Sequence, residues 1–101
     1  MNNKFLSLLG IARKAGRVSL GFEQSLSSLH SGAAKAVFCA KDLSEKTKRG
    51  LVLAAQNDAI PVVTVQYTLE ELSMAVGQRT GIVCVNDAGF AKALLQRGEI
   101  Q

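Results

Sequence analysis

The chain has 101 residues, 48% of them apolar and 20% charged, which is the length and content of one domain that fills a single core without disulfide or metal staples. Its longest apolar runs are five residues, against the roughly 18–20 needed to cross a bilayer, and its N-terminus lacks a signal's long apolar centre, so a cytoplasmic location away from membranes is expected. The net charge of +4 is unevenly divided: residues 1–50 hold nine Lys and Arg against three acids, residues 51–101 three against five. Positive charge gathered in one half builds a local field that suits phosphate, with a merely solubilising surface as the competing reading.

Asn2 or Asn3 can cap a first helix, on which Phe5, Leu8, Leu9 and Ala12 fall at i, i+3, i+4 and i+7. Lys4, Ser7 and Lys14 take the opposite side, and Gly16 can adopt the left-handed conformation that ends it. Val18, Ser19 and Leu20 read as a short strand. Gly21 opens a second helix with Phe22, Leu26 and Leu29 inward, ending at Gly32. Residues 36–40 form a continuous apolar run, as in a strand covered on both faces. Asp42 and Glu45 have the spacing of a capping box and predict a third helix over about 43–57, with Leu51, Ala54 and Ala55 inward.

Pro61 starts a strand over 62–65, a position where its missing N–H does no harm. Thr68 and Glu71 repeat the capping-box spacing for a helix that ends at Gly77. Residues 81–85 predict the fourth strand. Asp87 caps a last helix over 88–97, with Phe90, Ala91, Leu94 and Leu95 inward and Gly98 as its stop. Helices and strands therefore alternate through one domain spanning 1–101, an α/β architecture with helices on both faces of a mostly parallel or mixed sheet.

Catalytic signals are poor. There is no Gly-x-Gly-x-x-Gly and no Walker-type lysine loop, so no nucleotide cofactor is expected. The single histidine, His30, lies within a helix without a cysteine or serine partner at nucleophile spacing. Cys39 and Cys84 each lie in an apolar run, with no Cys-x-x-Cys and no ligand spacing to His30; two reduced, buried thiols and no metal are expected. Asp42 and Asp87 follow strands, where receiver-like domains keep acids, but both read as helix caps.

Binding chemistry is better placed. A strand leads into Gly21 and a helix begins at once, so first-turn N–H groups without helical acceptors face outward with partial positive charge. Gly21 permits close approach of a partner's backbone. Glu23 and Gln24 offer acceptors to guanine amino and imino groups, and Gln24 and Ser27 can donate; an ordinary polar helix start is the bland alternative. Lys41, Lys46, Lys48 and Arg49 form a basic segment suited to phosphates. Tyr67, the only tyrosine, either stacks on a base or lies at the core's edge.

The ordered set formed by residues 8–17 (Leu-Leu-Gly-Ile-Ala-Arg-Lys-Ala-Gly-Arg), Gly21, residues 35–42 (Lys-Ala-Val-Phe-Cys-Ala-Lys-Asp), Ile60-Pro61-Val62, residues 68–72 (Thr-Leu-Glu-Glu-Leu), Gly77, Arg79 and residues 87–91 (Asp-Ala-Gly-Phe-Ala) resembles the L-seven-Ae/L-thirty-e superfamily of ribosomal and kink-turn RNA-binding proteins, closest to its short bacterial members. The resemblance covers nearly the whole chain. It implies an α/β/α sandwich with a mixed four-stranded sheet and a Gly21 junction that meets sheared guanine–adenine pairs in a kinked stem. It also implies that loops before and within 68–79 touch an extruded nucleotide.

Strong kink-turn readers carry Asn-Glu shortly after the glycine, a lysine on the next turn and often a lysine before the glycine. This chain has Glu23-Gln24, Ser27 and Leu20 there. The expected function is non-catalytic RNA binding with ribosomal association, in the company of ribosomal or other translation proteins. The expected RNA-facing set is Arg17, Gly21, Phe22, Glu23, Gln24, Ser27, Lys35, Lys41, Tyr67, Thr68 and Arg79. A protein–protein interaction module that kept the fold and lost RNA contacts is the alternative, and a small-molecule-binding or enzymatic α/β domain comes third.

Overall fold

Short polar side chains start most of the helices, and apolar alternation fixes the strands between them. The computed structural model describes residues 3–98. Its elements in order are α1 (Lys4–Lys14), β1 (Val18–Leu20), α2 (Phe22–Ser31), β2 (Ala36–Cys39), α3 (Glu45–Ala55), β3 (Val62–Thr64), α4 (Leu69–Val76), β4 (Ile82–Val85) and α5 (Ala88–Gly98). The four strands form one mixed sheet in the order β1-β4-β2-β3. β4 runs antiparallel to both β1 and β2, while β2 and β3 are parallel.

Side chains alternate across this sheet as the period of two requires. Ala36, Phe38, Ala40, Val83 and Val85 pack with Phe5, Leu9, Leu72, Val76, Ala91 and Leu94, so α1, α4 and α5 cover one face. Val37, Cys39, Ile82 and Cys84 pack with Leu29, Leu51 and Ala55, so α2 and α3 cover the other. The result is a three-layer α/β/α sandwich. Phe38 is wholly buried and meets Phe5 edge-on, with ring centroids 5.5 Å apart and planes at 76°.

Asn3 starts α1 by accepting the Leu6 N–H, Thr68 and Glu71 form the predicted capping box, and the Asp87 carboxylate accepts the Phe90 N–H of α5. Asn2 lies outside the described residues. The third helix departs from expectation. Residues 41–43 form a turn in which the Leu43 N–H bonds the Ala40 carbonyl, so the cap is Ser44, whose hydroxyl accepts the Thr47 N–H, and α3 begins at Glu45. It ends at Ala55, where a turn with Ala59 at φ 54° leads into β3. The strand predicted over 62–65 stops at Thr64, and that over 81–85 starts at Ile82. Gly98 belongs to α5 as its last described residue instead of stopping it. His30 lies in the last turn of α2 and is exposed.

Gly10 carries α1 against α4: a Cβ added there would lie 2.9 Å from the Ala75 carbonyl oxygen. Gly10→Ala must therefore push two helices apart. Alanine's helix propensity favours the change by only about 1 kcal/mol, so a net loss of about 1–2 kcal/mol is expected in denaturant unfolding. Unchanged or raised stability would show that the helices separate freely.

Cys39 and Cys84 are buried free thiols, and burial pushes both up to about 11 from 9.0; Lys48 opposes this at Cys39 and the Ser28 hydroxyl at Cys84. Because the thiolate is the nucleophile, a disulfide-exchange reagent should label both at least about a hundredfold slower in the native than in the denatured protein. Rapid native labelling of either would place its strand at the surface.

Candidate nucleic-acid interface

Strand directions decide which loops meet. β1 and β2 finish, and β4 begins, at the same end of the sheet: Gly21 N–H bonds the Ile82 carbonyl at 3.1 Å and Ala40 N–H the Gly81 carbonyl at 2.9 Å. The chain leaving β3 joins them there, because Lys41 N–H donates to the Tyr67 carbonyl at 2.9 Å. Around this Gly21 end lie the start of α2, the 41–44 turn, the 66–68 turn and the approach to β4 through Arg79.

The loops are fastened to one another. The Asp42 carboxylate accepts the Leu69 N–H at 2.8 Å, an added cap for α4 that reaches across from another loop. Leu43 and Leu69 close over Gly81, where a Cβ would lie 3.1–3.2 Å from their methyl carbons. The Ser73 hydroxyl accepts the Thr80 N–H at 2.8 Å and donates to the Leu69 carbonyl at 2.7 Å. Asp42 thus caps a helix, but not the one its spacing with Glu45 suggested.

The N-terminus of α2 differs from the others. The side chains of Asn3, Ser44, Thr68 and Asp87 each accept an N–H of their own helix, whereas Gly21 at φ 87°, ψ 173° has no side chain to do so. That φ is costly for any L side chain, and nothing lies within 4 Å of where a Cβ would point. Three first-turn N–H groups, those of Phe22, Glu23 and Gln24, are therefore left to the outside, since the first bond of the helix runs from Ser25 N–H to the Gly21 carbonyl. Glu23, Gln24 and Ser27 are exposed beside them. Glu23, Ser27 and His30 also line a shallow groove along α2.

The expected residues separate into three groups. Gly21, Glu23, Gln24, Ser27, Lys41 and Arg79 gather at the Gly21 end with exposed side chains or open backbone. Phe22, Tyr67 and Thr68 are there but engaged. The Phe22 ring packs over Gly50 of α3. Tyr67 stacks on Phe5 at 5.3 Å and 14°, and its hydroxyl meets the Asn3 side chain at 3.0 Å, so it is a core-edge residue and not an open base platform. Thr68 holds α4 through its capping box.

Arg17 and Lys35 lie elsewhere. Arg17 precedes β1 and its carbonyl accepts the Asn86 N–H; Lys35 precedes β2 and its N–H bonds the Val85 carbonyl. Both stand at the opposite end of the sheet, roughly 15–20 Å from Lys41 along the strand direction. The separation follows from strand direction: a cation before a strand and one after it stand at different ends of the sheet, although both belong to the same basic half of the chain. Sequence reasoning passed over His30 as a surface residue. Its distance of seven from Glu23, two helical turns, is the signal that puts it on the same face.

The family model described as Ribosomal protein L7Ae/L30e/S12e/Gadd45 family matches residues 3–95. The chain is 31% identical over 88 residues to the large ribosomal subunit protein eL30 of Aeropyrum pernix, covering 85% of this chain and 88% of that protein. It is 29% identical to the RNA-binding protein YlxQ of Enterococcus faecium, over 88% and 85% of the two chains. Among solved structures, a Bacillus halodurans protein of unknown function superposes with a TM-score of 0.88 at 31% identity, covering 94% of this chain and 96% of that one. The Giardia lamblia 15.5kD RNA binding protein shares the fold at a TM-score of 0.76 and 18% identity, over 96% and 90%. The family's sequence pattern and its layered fold thus coincide over the same residues, and the chain belongs to the ribosomal protein L7Ae/L30e/S12e/Gadd45 family.

Proposed function

We propose that this protein binds structured RNA, without catalysis, at the Gly21 end of its sheet, with a sharply kinked stem as the shape it reads and ribosomal particles as its setting. The uncapped N-terminus of α2 carries the proposal. Its free N–H groups and positive dipole end suit a phosphate or a base-edge acceptor, and Gly21 lets RNA approach the backbone without a side chain in the way. Beside it, the Glu23 carboxylate and Gln24 amide face base edges, where Glu23 accepts from guanine amino and imino groups. Lys41 and Arg79 flank the site as phosphate partners. RNA binding in the relative from Enterococcus faecium and in the Giardia fold neighbour supports this reading.

The fit is to a short, irregular element. The exposed surface at this end interleaves the cations Lys41 and Arg79 with the acids Glu23 and Asp42, which penalises a plain duplex flank and favours bases turned outward. A protein-docking role on the same face is favoured by one observation: Glu23 and Ser27 occupy the exposed positions where charge-assisted contacts to RNA would otherwise form.

RNA titrations test the placement. About three phosphate contacts predict a log–log salt slope near −2 to −3, at roughly 0.7–0.9 per contact. Lys41→Glu should weaken binding about tenfold or more, and Lys35→Glu at the far end less than about threefold, with both folds stable to within about 0.5 kcal/mol. Equal losses would reduce the site to diffuse basicity.

A gain-of-affinity variant tests the chemistry. Glu23→Asn combined with Ser27→Lys removes an acid and adds a cation on the exposed face of α2. Gel-shift titration against a kink-turn should show about tenfold or greater tightening. Equal or weaker binding would move the RNA off this face and favour the docking role.

A further inference from the structure

The most exposed large apolar side chain among the described residues has no part in the RNA reading. Met74, on the middle of α4, is 81% exposed, and Ile11 on α1 is 55% exposed beside it. The two lie along an open groove of about 580 Å³ between α1 and α4. Its floor is shallow because Gly10 brings α1 against the Ala75 carbonyl with no side chain between. Together in a concave surface, the two side chains form a continuous apolar patch that another molecule can cover.

The charges along the groove indicate what covers it. Glu71 stands at one end, fixed by its bond to the Thr68 N–H at 2.9 Å. Arg13 and Lys14 stand at the other, with Arg13 held by the Val76 carbonyl and the Gln78 side chain at 3.3 Å each. Met74 lies midway between the acidic and basic ends. A foreign partner would have to bring a matching acid–apolar–basic order. A second copy turned through a two-fold axis at Met74 brings it automatically: Lys14 of each copy faces Glu71 of the other, and the two methionines meet on the axis.

We infer that the α1–α4 groove is the contact face of a weak homodimer of this chain, with Met74 on its two-fold axis. The groove is lined by 12 residues, where a standard interface uses roughly 20–30 on each side, so association is concentration-dependent. The face lies on the α1/α4/α5 side of the sheet. The dimer therefore leaves the α2 terminus of each copy free, and the inference stands independently of the RNA reading.

Cysteine cross-linking reads the axis directly. The native thiols are buried, so a new surface cysteine is the reactive one. Met74→Cys should form a covalent dimer under mild oxidant at least about tenfold faster than Leu53→Cys, which places a thiol at a 63% exposed position on the opposite layer. Sedimentation of the unmodified protein should show mass rising between about 10 µM and about 1 mM, with Met74→Glu monomeric throughout. Lys14→Glu should weaken association about tenfold, because symmetry removes two exposed pairs at once. A monomer at every concentration, or equal cross-linking rates at the two positions, overturns the inference. A monomer whose Met74 methyl resonance shifts on adding structured RNA overturns it too, and gives the groove to RNA. Normal RNA affinity in monomeric Met74→Glu would show that the two surfaces act separately.

Discussion

The two central strands have apolar side chains buried on both faces, and the rest of the molecule is arranged by that fact. Each residue of β2 and β4 is at most 4% exposed. One-residue slippage would send Phe38 into the space of Cys39 and Val83 into that of Cys84, exchanging the contents of two differently shaped cores. Burial of a large side chain such as Phe38 contributes about 2–3 kcal/mol, and its loss leaves a cavity besides. Register is therefore held strongly. Because register is fixed, so is the set of loops that emerge together beside Gly21.

Those loops owe their positions to backbone and short side chains, which leaves the long charged ones free. Lys41 is anchored through its own N–H to Tyr67, and Asp42 to Leu69, while the Lys41 ammonium stays in solvent. The flank between α2, β1 and β4 is fastened by a different device. The hydroxyls of Ser19 and Ser28 lie 2.7 Å apart, and the Asn86 amide bridges from Ser19 to the Cys84 thiol. The uncapped helix α2 is thereby tied to β1. Shape at the Gly21 end is thus set within the chain itself, which would limit the ordering cost of any association there.

Much of this was legible in the residues. Helix starts at Asn3, Thr68 and Asp87 follow from side chains that can accept a specific N–H, and the strand at 18–20 and the run 36–40, of which 36–39 is strand, follow from apolar run length and flanking glycine or charge. Asp42 misled because the same carboxylate serves any N–H within reach, and spacing alone does not say which helix will come near. Tyr67 was open between two roles, and Phe5 decided between them; that contact joins residues 62 positions apart in the chain, beyond any local pattern. The separation of Arg17 and Lys35 from Lys41 required strand direction, which a run of apolar residues does not carry.

The sheet order has a temporal consequence. β4 is made after β1, β2 and β3, yet it lies between β1 and β2, which do not pair with each other. Until residue 85 has been added, β1 has no strand partner and β2 has only β3 on one side. A chain that lacks residues 82–85 therefore leaves β1 unpaired and one edge of β2, within the apolar stretch 36–40, open. Such a truncated chain exposes unpaired strand edges and apolar side chains together, the combination that makes incompletely folded chains prone to aggregate.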